Sequence, residues 1–222
     1  MSAVELEERW LGRVAYEEGL RLQDDLVDRR RRGEEAADVL LLLEHEPVYT
    51  IGRRLDRSSL GLHPQGLPHP VFEIGRGGQS TYHGPGQLVG YPILDLRRYG
   101  RDLHVYLRML EAALIACCAE FGVQAGRREG LTGVWVEDRK IASIGVGVRQ
   151  WISMHGFALN VDGDLEPFAR IVPCGIAGVR MTSLAKEAGL GPPGGKQVLP
   201  VEEVAEVCAS CLRRSLAAAS AA

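Results

Sequence analysis

The sequence has little that would staple, anchor or strongly charge it. Only five of its 222 residues are cysteine. That odd number in a chain of ordinary size argues against a secreted disulfide framework and for a reducing cytoplasm. No stretch is apolar enough over enough length to span a bilayer. Residues 1–10 are acidic and lack the apolar core of a signal peptide, so no membrane partner is expected. Charge of neither sign dominates: 26 basic residues face 29 acidic ones, which argues against nucleic acid as the main partner. The longest basic run, Arg29 to Arg32, closes a helical pattern and reads as a solvated helix end complementing the dipole. There is no internal repeat, no GxxxxGK[ST] phosphate loop and no GxGxxG spacing. Six histidines (His45, His63, His69, His83, His104, His155) are scattered without HxxxH or a close cysteine, so no metal site is expected.

What remains is an ordinary globular composition, 45% hydrophobic and 25% charged. Residues 1–222 read as a single domain, with a core over about 12–188 and a C-terminal helix over about 200–217. Ala15, Gly19, Leu22 and Leu26 recur at helical spacing and predict a helix over residues 12–32. Residues 39–43 form an apolar run ended by Glu44-His45-Glu46-Pro47, a buried strand and turn. Residues 48–51 and 71–74 read as short strands, and 53–70 as a long polar loop that invites the question of a lid. Residues 75–86 form a glycine-dense loop, and 88–96 a strand. A stripe from Leu103 to Phe121 predicts a helix with Asp102 as N-cap and Gly122 as its stop. The period then changes to two, giving strands at 134–136, 141–149 and 151–161, with Gly145 and Gly147 marking a bulge or a close backbone approach. Residues 182–188 suggest a short helix, 191–195 a linker, and Pro200 opens the last helix before a weakly specified tail at 217–222. Strands gathered in meanders make the class α+β, with mixed, mostly antiparallel sheets flanked by helices.

The cysteines differ in setting. Cys117 and Cys118 lie on the apolar stripe of a predicted helix. Cys208 and Cys211 form a CxxC whose spacing places both on the apolar face of the last helix, and no second pair of ligands completes a zinc site. Those four read as core. Cys174 stands between Pro173 and Gly175, a poor helix interior and a poor central strand, so a loop presents it. A packed thiol and a nucleophile both fit that context. A free thiol, with a pKa of about 8.5, is only a few per cent thiolate at neutral pH, and a nearby cation would raise that fraction. Lys140, Arg76, His83 and His155 are the candidates.

The densest polar constellation is RGGQSTYHGPGQ, residues 76–87. Glycine frees its backbone to approach a ligand and to offer N–H groups. The same residues also read as a pair of tight turns. This run resembles the RGGxxTYHGPGQ signature of lipoyl(octanoyl) transferases. Leu42-Leu-Glu-His45-Glu-Pro-Val-Tyr-Thr-Ile-Gly52 is similar to another of that family's motifs. So are Gly133-Val-Trp-Val with Lys140-Ile-Ala-Ser-Ile-Gly145, then His155-Gly-Phe-Ala-Leu-Asn160, Pro173-Cys174-Gly-Ile and Thr182-Ser-Leu. The match spans roughly residues 39–184 in one order, which is more specific than a single motif.

The resemblance implies a fold like the catalytic core of biotin and lipoate protein ligases. It implies transfer of an octanoyl group from octanoyl-acyl carrier protein to a lysine of lipoyl domains, in 2-oxoacid dehydrogenase complexes and the glycine cleavage H protein. It carries a thioester onto Cys174 and an assisting amine onto Lys140. Arg76, Gly77, Gly78, Gln79, Ser80, Thr81, Tyr82 and His83 would line the acyl site, together with Ser143, Ile144, Gly145, Gly156, Phe157 and Ala158. Ser143 stands where alanine is at least as common in the family. No cofactor is implied, and a monomer is expected. The rival readings are an ATP-dependent lipoate or biotin ligase on the same fold, which would not need Cys174, and a noncatalytic module binding acyl carrier protein or a lipoyl domain.

Overall fold

The molecule is built around one central sheet, and its strands explain where the apolar runs go. The computed structural model describes residues 6–34, 37–53, 57–60, 66–190 and 199–220. In chain order the elements are β1 (Leu6–Val14), α1 (Tyr16–Arg31), β2 (Asp38–His45), β3 (Val48–Ile51), β4 (Val71–Glu73), β5 (Thr81–His83), β6 (Gln87–Ile93), α2 (Leu103–Glu120), β7 (Gly126–Arg128), β8 (Leu131–Val136), β9 (Arg139–Arg149), β10 (Ile152–Asn160), β11 (Arg180–Met181), α3 (Leu184–Glu187) and α4 (Val201–Ser220). The large sheet runs β1-β2-β6-β10-β9-β8-β7, with β11 beside β9, and a three-stranded sheet runs β4-β3-β5. Most pairs are antiparallel, while β1/β2, β3/β4 and β9/β11 are parallel. The α+β expectation holds, with one exception to the meander reading: β1-α1-β2 is a parallel crossover unit.

β2 shows the logic of the layers. Its side chains alternate, and both faces are covered. Leu40 and Leu42 join α2 and α4 in the larger core, while Val39, Leu41 and Leu43 pack with Leu26 and Val27 of α1. Each such fully buried leucine contributes roughly 2 kcal/mol. Cys117, Cys118, Cys208 and Cys211 are all buried at or below 1% exposure in the α2–α4 core. Asp102 caps α2 by accepting from the N–H groups of His104 and Val105.

Several boundaries differ from the expectation. The first helix starts at Tyr16, not residue 12, because Leu6–Val14 is an edge strand lying ahead of the expected start of the core. The basic run does end α1, but Arg30 is buried and paired with Asp38, whose other oxygen accepts from the Tyr99 hydroxyl. The solvated reading fails there because a buried carboxylate on β2 needs a counterion. The glycine loop contains a strand, β5, and the C-terminal helix continues through Ser220. The expected linker at 191–195 lies outside the described residues. So does much of the 53–70 loop, whose described part includes a 3-10 turn over Arg57–Leu60.

Candidate active site

Cys174 sits where the sequence placed it, on an irregular turn, and the turn is held from behind. Its backbone is left-handed, with φ 57° and ψ 14°, a region that costs a non-glycine residue of the order of 1 kcal/mol or more. Four contacts impose it. The Cys174 N–H donates to the Ser80 carbonyl at 2.7 Å. The Val172 N–H donates to the Ser59 carbonyl at 2.8 Å, and the Ser59 and Ser80 hydroxyls bond at 2.6 Å. The Gln79 side chain lies against Gly175, in the space a β-carbon would need. The sulfur itself is half-buried.

Lys140 reaches that sulfur from the sheet. Its Nζ lies 3.6 Å from Cys174 Sγ and donates to the Thr132 carbonyl at 2.9 Å. The side chain is 1% exposed and runs over the Trp135 ring, 5.0 Å from its centroid. No carboxylate pairs with it among the described residues. Gly133 makes the passage: a β-carbon there would stand 2.8 Å from Lys140 Cε and 2.7 Å from the Ala142 carbonyl. The Gly133 N–H donates to the buried Glu111, which also pairs with Arg108 and Arg127. That carboxylate fixes the β8 backbone under the lysine.

A bulge brings a third side chain to the sulfur. Val134 pairs with Ala142, yet Trp135 pairs with Lys140, so β9 carries one extra residue, Ile141. In a regular strand Lys140 and Ser143, three apart, would point to opposite faces. The extra residue puts them on the same face, and Ser143 Oγ lies 3.7 Å from Cys174 Sγ. Ile141 and Ala142 are correspondingly both buried in the α2-side core.

From the dyad a cavity of about 380 Å³ runs inward. Its mouth includes the exposed Gly130 and Thr132, and its deep end Tyr16, His83, Tyr91 and His155, none more than 7% exposed. Arg76, Gly77, Gly78, Thr81, His83, Ser143, Ile144, Gly145, Gly156, Phe157 and Ala158, all named from the sequence, line it. Gly145 and Gly156 are cross-strand partners. Over Gly145 the glycine loop rests directly on β9, with the Gly77 N–H donating to the Val146 carbonyl at 2.9 Å.

Three of the named residues do not line the cavity. Gln79 and Ser80 support the Cys174 turn. Tyr82 packs instead on Tyr49 and Phe168 in a satellite cluster. The cause is alternation in β5: Thr81 and His83 face the cavity, so Tyr82 between them faces away. From its glycines this stretch is expected to be loop, where no alternation applies. Thr132, Glu111, Ser59, Tyr16 and Tyr91 belong to the site without a local sequence signal, since each enters through a backbone carbonyl or a long-range partner.

The deep end is polar but uncharged, apart from one arginine. His45 Nδ1 donates to the Val14 carbonyl at 3.1 Å and its Nε2 accepts from the Tyr91 hydroxyl at 2.7 Å. His83 Nδ1 donates to Gln87 Oε1 at 2.8 Å, and Gln87 Nε2 donates to Asn160 Oδ1 at 2.9 Å. Burial pushes His45 and His155 down to about 4 and His83 down to about 3, so all three are neutral at physiological pH. Arg76 is buried and, among the described residues, donates to neutral acceptors only, the Thr50 and Gly77 carbonyls and Thr50 Oγ1. Desolvation lowers its pKa as well. The Thr81 hydroxyl and His155 Nδ1 are buried in the cavity wall without a partner among the described residues. Among the described residues no cluster of histidine, cysteine, aspartate or glutamate could hold a metal.

Residues 15–213 match the family model described as the lipoyl protein ligase A/B catalytic domain. The chain belongs to this family. It is 57% identical over 179 residues to a protein of Geobacter sulfurreducens named octanoyltransferase, covering 81% of this chain and 74% of that one. It is 53% identical over 180 residues to one of Synechococcus elongatus with the same name, covering 80% and 77%. This family member is an acyltransferase. Solved structures share the fold: a lipoate-protein ligase A bound with ATP superposes with a TM-score of 0.72 at 15% identity, covering 96% of this chain and 85% of that one. A biotin protein ligase from Aquifex aeolicus gives 0.53 at 14% identity, covering 95% and 69%. The family resemblance in the motifs and the expected fold both stand. No helix among the described residues is long and apolar enough to cross a membrane.

Proposed function

We propose that this chain, as a single catalytic unit, takes an octanoyl group from octanoyl-acyl carrier protein. It holds the group as a thioester on Cys174 and passes it to a lysine of a lipoyl domain. The observation that carries this reading is the 3.6 Å approach of a buried, carboxylate-free Lys140 to the one cysteine outside the core, at the mouth of a cavity. An ammonium there neutralises a thiolate.

In the first half-reaction Sγ bonds the acyl carbon and the carrier's sulfur leaves with the proton of Lys140. In the second, the acceptor amine forms the C–N bond and the C–Sγ bond breaks. The proton lost by nitrogen returns to Lys140, which restores the starting ion pair. Backbone N–H groups of the glycine stretches stabilise the oxyanion in both steps. Exchange of one thioester for another is nearly balanced, and formation of the amide runs downhill, so no nucleotide is required. The chain lies along Ile144 and Phe157, each buried methylene contributing about 0.8 kcal/mol.

The test is intact-mass analysis after incubation with octanoyl-acyl carrier protein. The wild-type chain is expected to gain one octanoyl group, lose it on addition of a lipoyl domain, and neither event is expected in Cys174→Ser. A Cys174→Ser variant that is acylated and turns over would sink the assignment. ATP–pyrophosphate exchange with free octanoate distinguishes a ligase, and none is expected.

A further inference from the structure

The ion pair alone leaves one step unsupported. Under the proposed cycle, Lys140 is a neutral amine once the first half-reaction has used its proton. When the amine attacks and the C–Sγ bond breaks, Lys140 is accepting a proton, not offering one. The departing Cys174 sulfur then needs a donor that does not depend on the state of the lysine.

Ser143 is placed for this. Its hydroxyl lies 3.7 Å from Sγ and, among the described residues, bonds nothing else. It comes from the same strand face as Lys140 because of the extra residue Ile141 in β9. Across the strand pair stands Ala158, too small to compete for the hydroxyl. A hydroxyl carries a proton whatever the lysine has done, and it rotates freely to follow the sulfur. We infer that Ser143 is a catalytic hydrogen-bond donor to Cys174 Sγ, acting chiefly when the thioester breaks in the second half-reaction. It donates a hydrogen bond and never loses its proton, so the proton balance of the cycle is unchanged. The inference rests on the thioester reading above and assigns a step within it.

Rapid-mix intact-mass kinetics separate the two half-reactions. Ser143→Ala is expected to form the octanoyl adduct within about threefold of the wild-type rate. It should transfer that adduct to a lipoyl domain about tenfold more slowly, a loss of the size of one donor to a charged centre. Ser143→Thr, which keeps the hydroxyl, is expected to recover most of the transfer rate. Alkylation by iodoacetamide adds a readout free of the acyl substrates. The other four cysteines are buried, so the folded chain reports Cys174 alone, and Ser143→Ala is expected to react more slowly at neutral pH. Transfer by Ser143→Ala within twofold of wild type would overturn the role. Equal slowing of both half-reactions with unchanged alkylation would also overturn it, by reducing Ser143 to packing. If the wild type itself forms no adduct, the thioester reading fails first, and the two failures are distinguishable.

Discussion

Cys174 holds a backbone conformation that glycine would adopt without penalty. Its φ of 57° is followed by a Gly175 φ of 69°, so two consecutive residues turn left-handed. The turn aims the thiol, and its strain is offset by the Ser80 carbonyl and the Ser59–Ser80 bond. Cys174→Gly and Cys174→Ala both remove the thiol that faces Lys140, so both are expected to abolish acyl transfer, and the glycine variant, free of the left-handed strain, is expected to be the more stable of the two by about 1 kcal/mol, or roughly 2–4 °C in a chain of this size. Calorimetry beside an adduct assay checks both; a glycine variant that melts below the alanine one would refute the strain argument. The sequence made this cysteine legible through its proline and glycine neighbours and through the helical placement of the other four. It did not make Ser59, Ser80 or Gln79 legible as supports, because their partners are 21 to 113 residues away along the chain and share no local pattern with them.

At the level of elements, a strand is readable where its residues form an apolar run and obscure where polar or charged residues interrupt it, as in Thr81-Tyr82-His83, which is wholly buried. β2 and β10 are apolar and almost wholly buried. β1 is a half-exposed edge strand with an irregular register, so its residues 12–14 were absorbed into the helix that follows. The bulge in β9 left no signature in Lys-Ile-Ala-Ser-Ile-Gly, yet it decides which side chains meet Cys174. β8 supplies the matching device at Gly133, whose φ of 124° and missing side chain admit Lys140. Gly133→Ala is expected to destabilise by more than about 2 kcal/mol, from backbone strain and the clash with the Ala142 carbonyl. It should also cut the rate of adduct formation at least tenfold by displacing the amine. Urea denaturation and single-turnover acylation measure the two effects; an unchanged acylation rate would show that the passage does not set the lysine.

For the whole molecule, the buried histidines set a pH limit. His45 and His155 sit at about 4 and His83 at about 3, all below the ordinary value of 6.5. In the unfolded chain they take up protons as pH falls through 6.5, and the folded chain does not follow. The stability they allow is thus full above about pH 6.5 and declines toward pH 4. The loss is up to about 1.4 kcal/mol per pH unit for each group. The urea midpoint is expected to drop steeply between pH 6.5 and 5, and His83→Gln, which keeps a donor for Gln87, is expected to flatten that slope. An equally steep decline in the variant would assign the acid sensitivity elsewhere. The general architecture was legible because the motifs and apolar runs recur in a fixed order. The joining of His83, Gln87 and Asn160 into one buried chain of hydrogen bonds was not, since each motif on its own gives no direction for its side chains.

The cross-strand pair Gly145 and Gly156 has a bearing on how this site can diversify. Where the glycine loop rests on β9, the wall of the cavity is peptide backbone, and peptide backbone is the same in every variant. Substitution there does not reshape the wall; it lifts the loop, because a β-carbon at Gly145 would stand 3.0 Å from both Arg76 Cδ and the Gly77 carbonyl. Selection for longer or shorter cargo is thus channelled to the side chains that remain, such as Ile144 and Phe157, while the stretch between them is inherited as a fixed template.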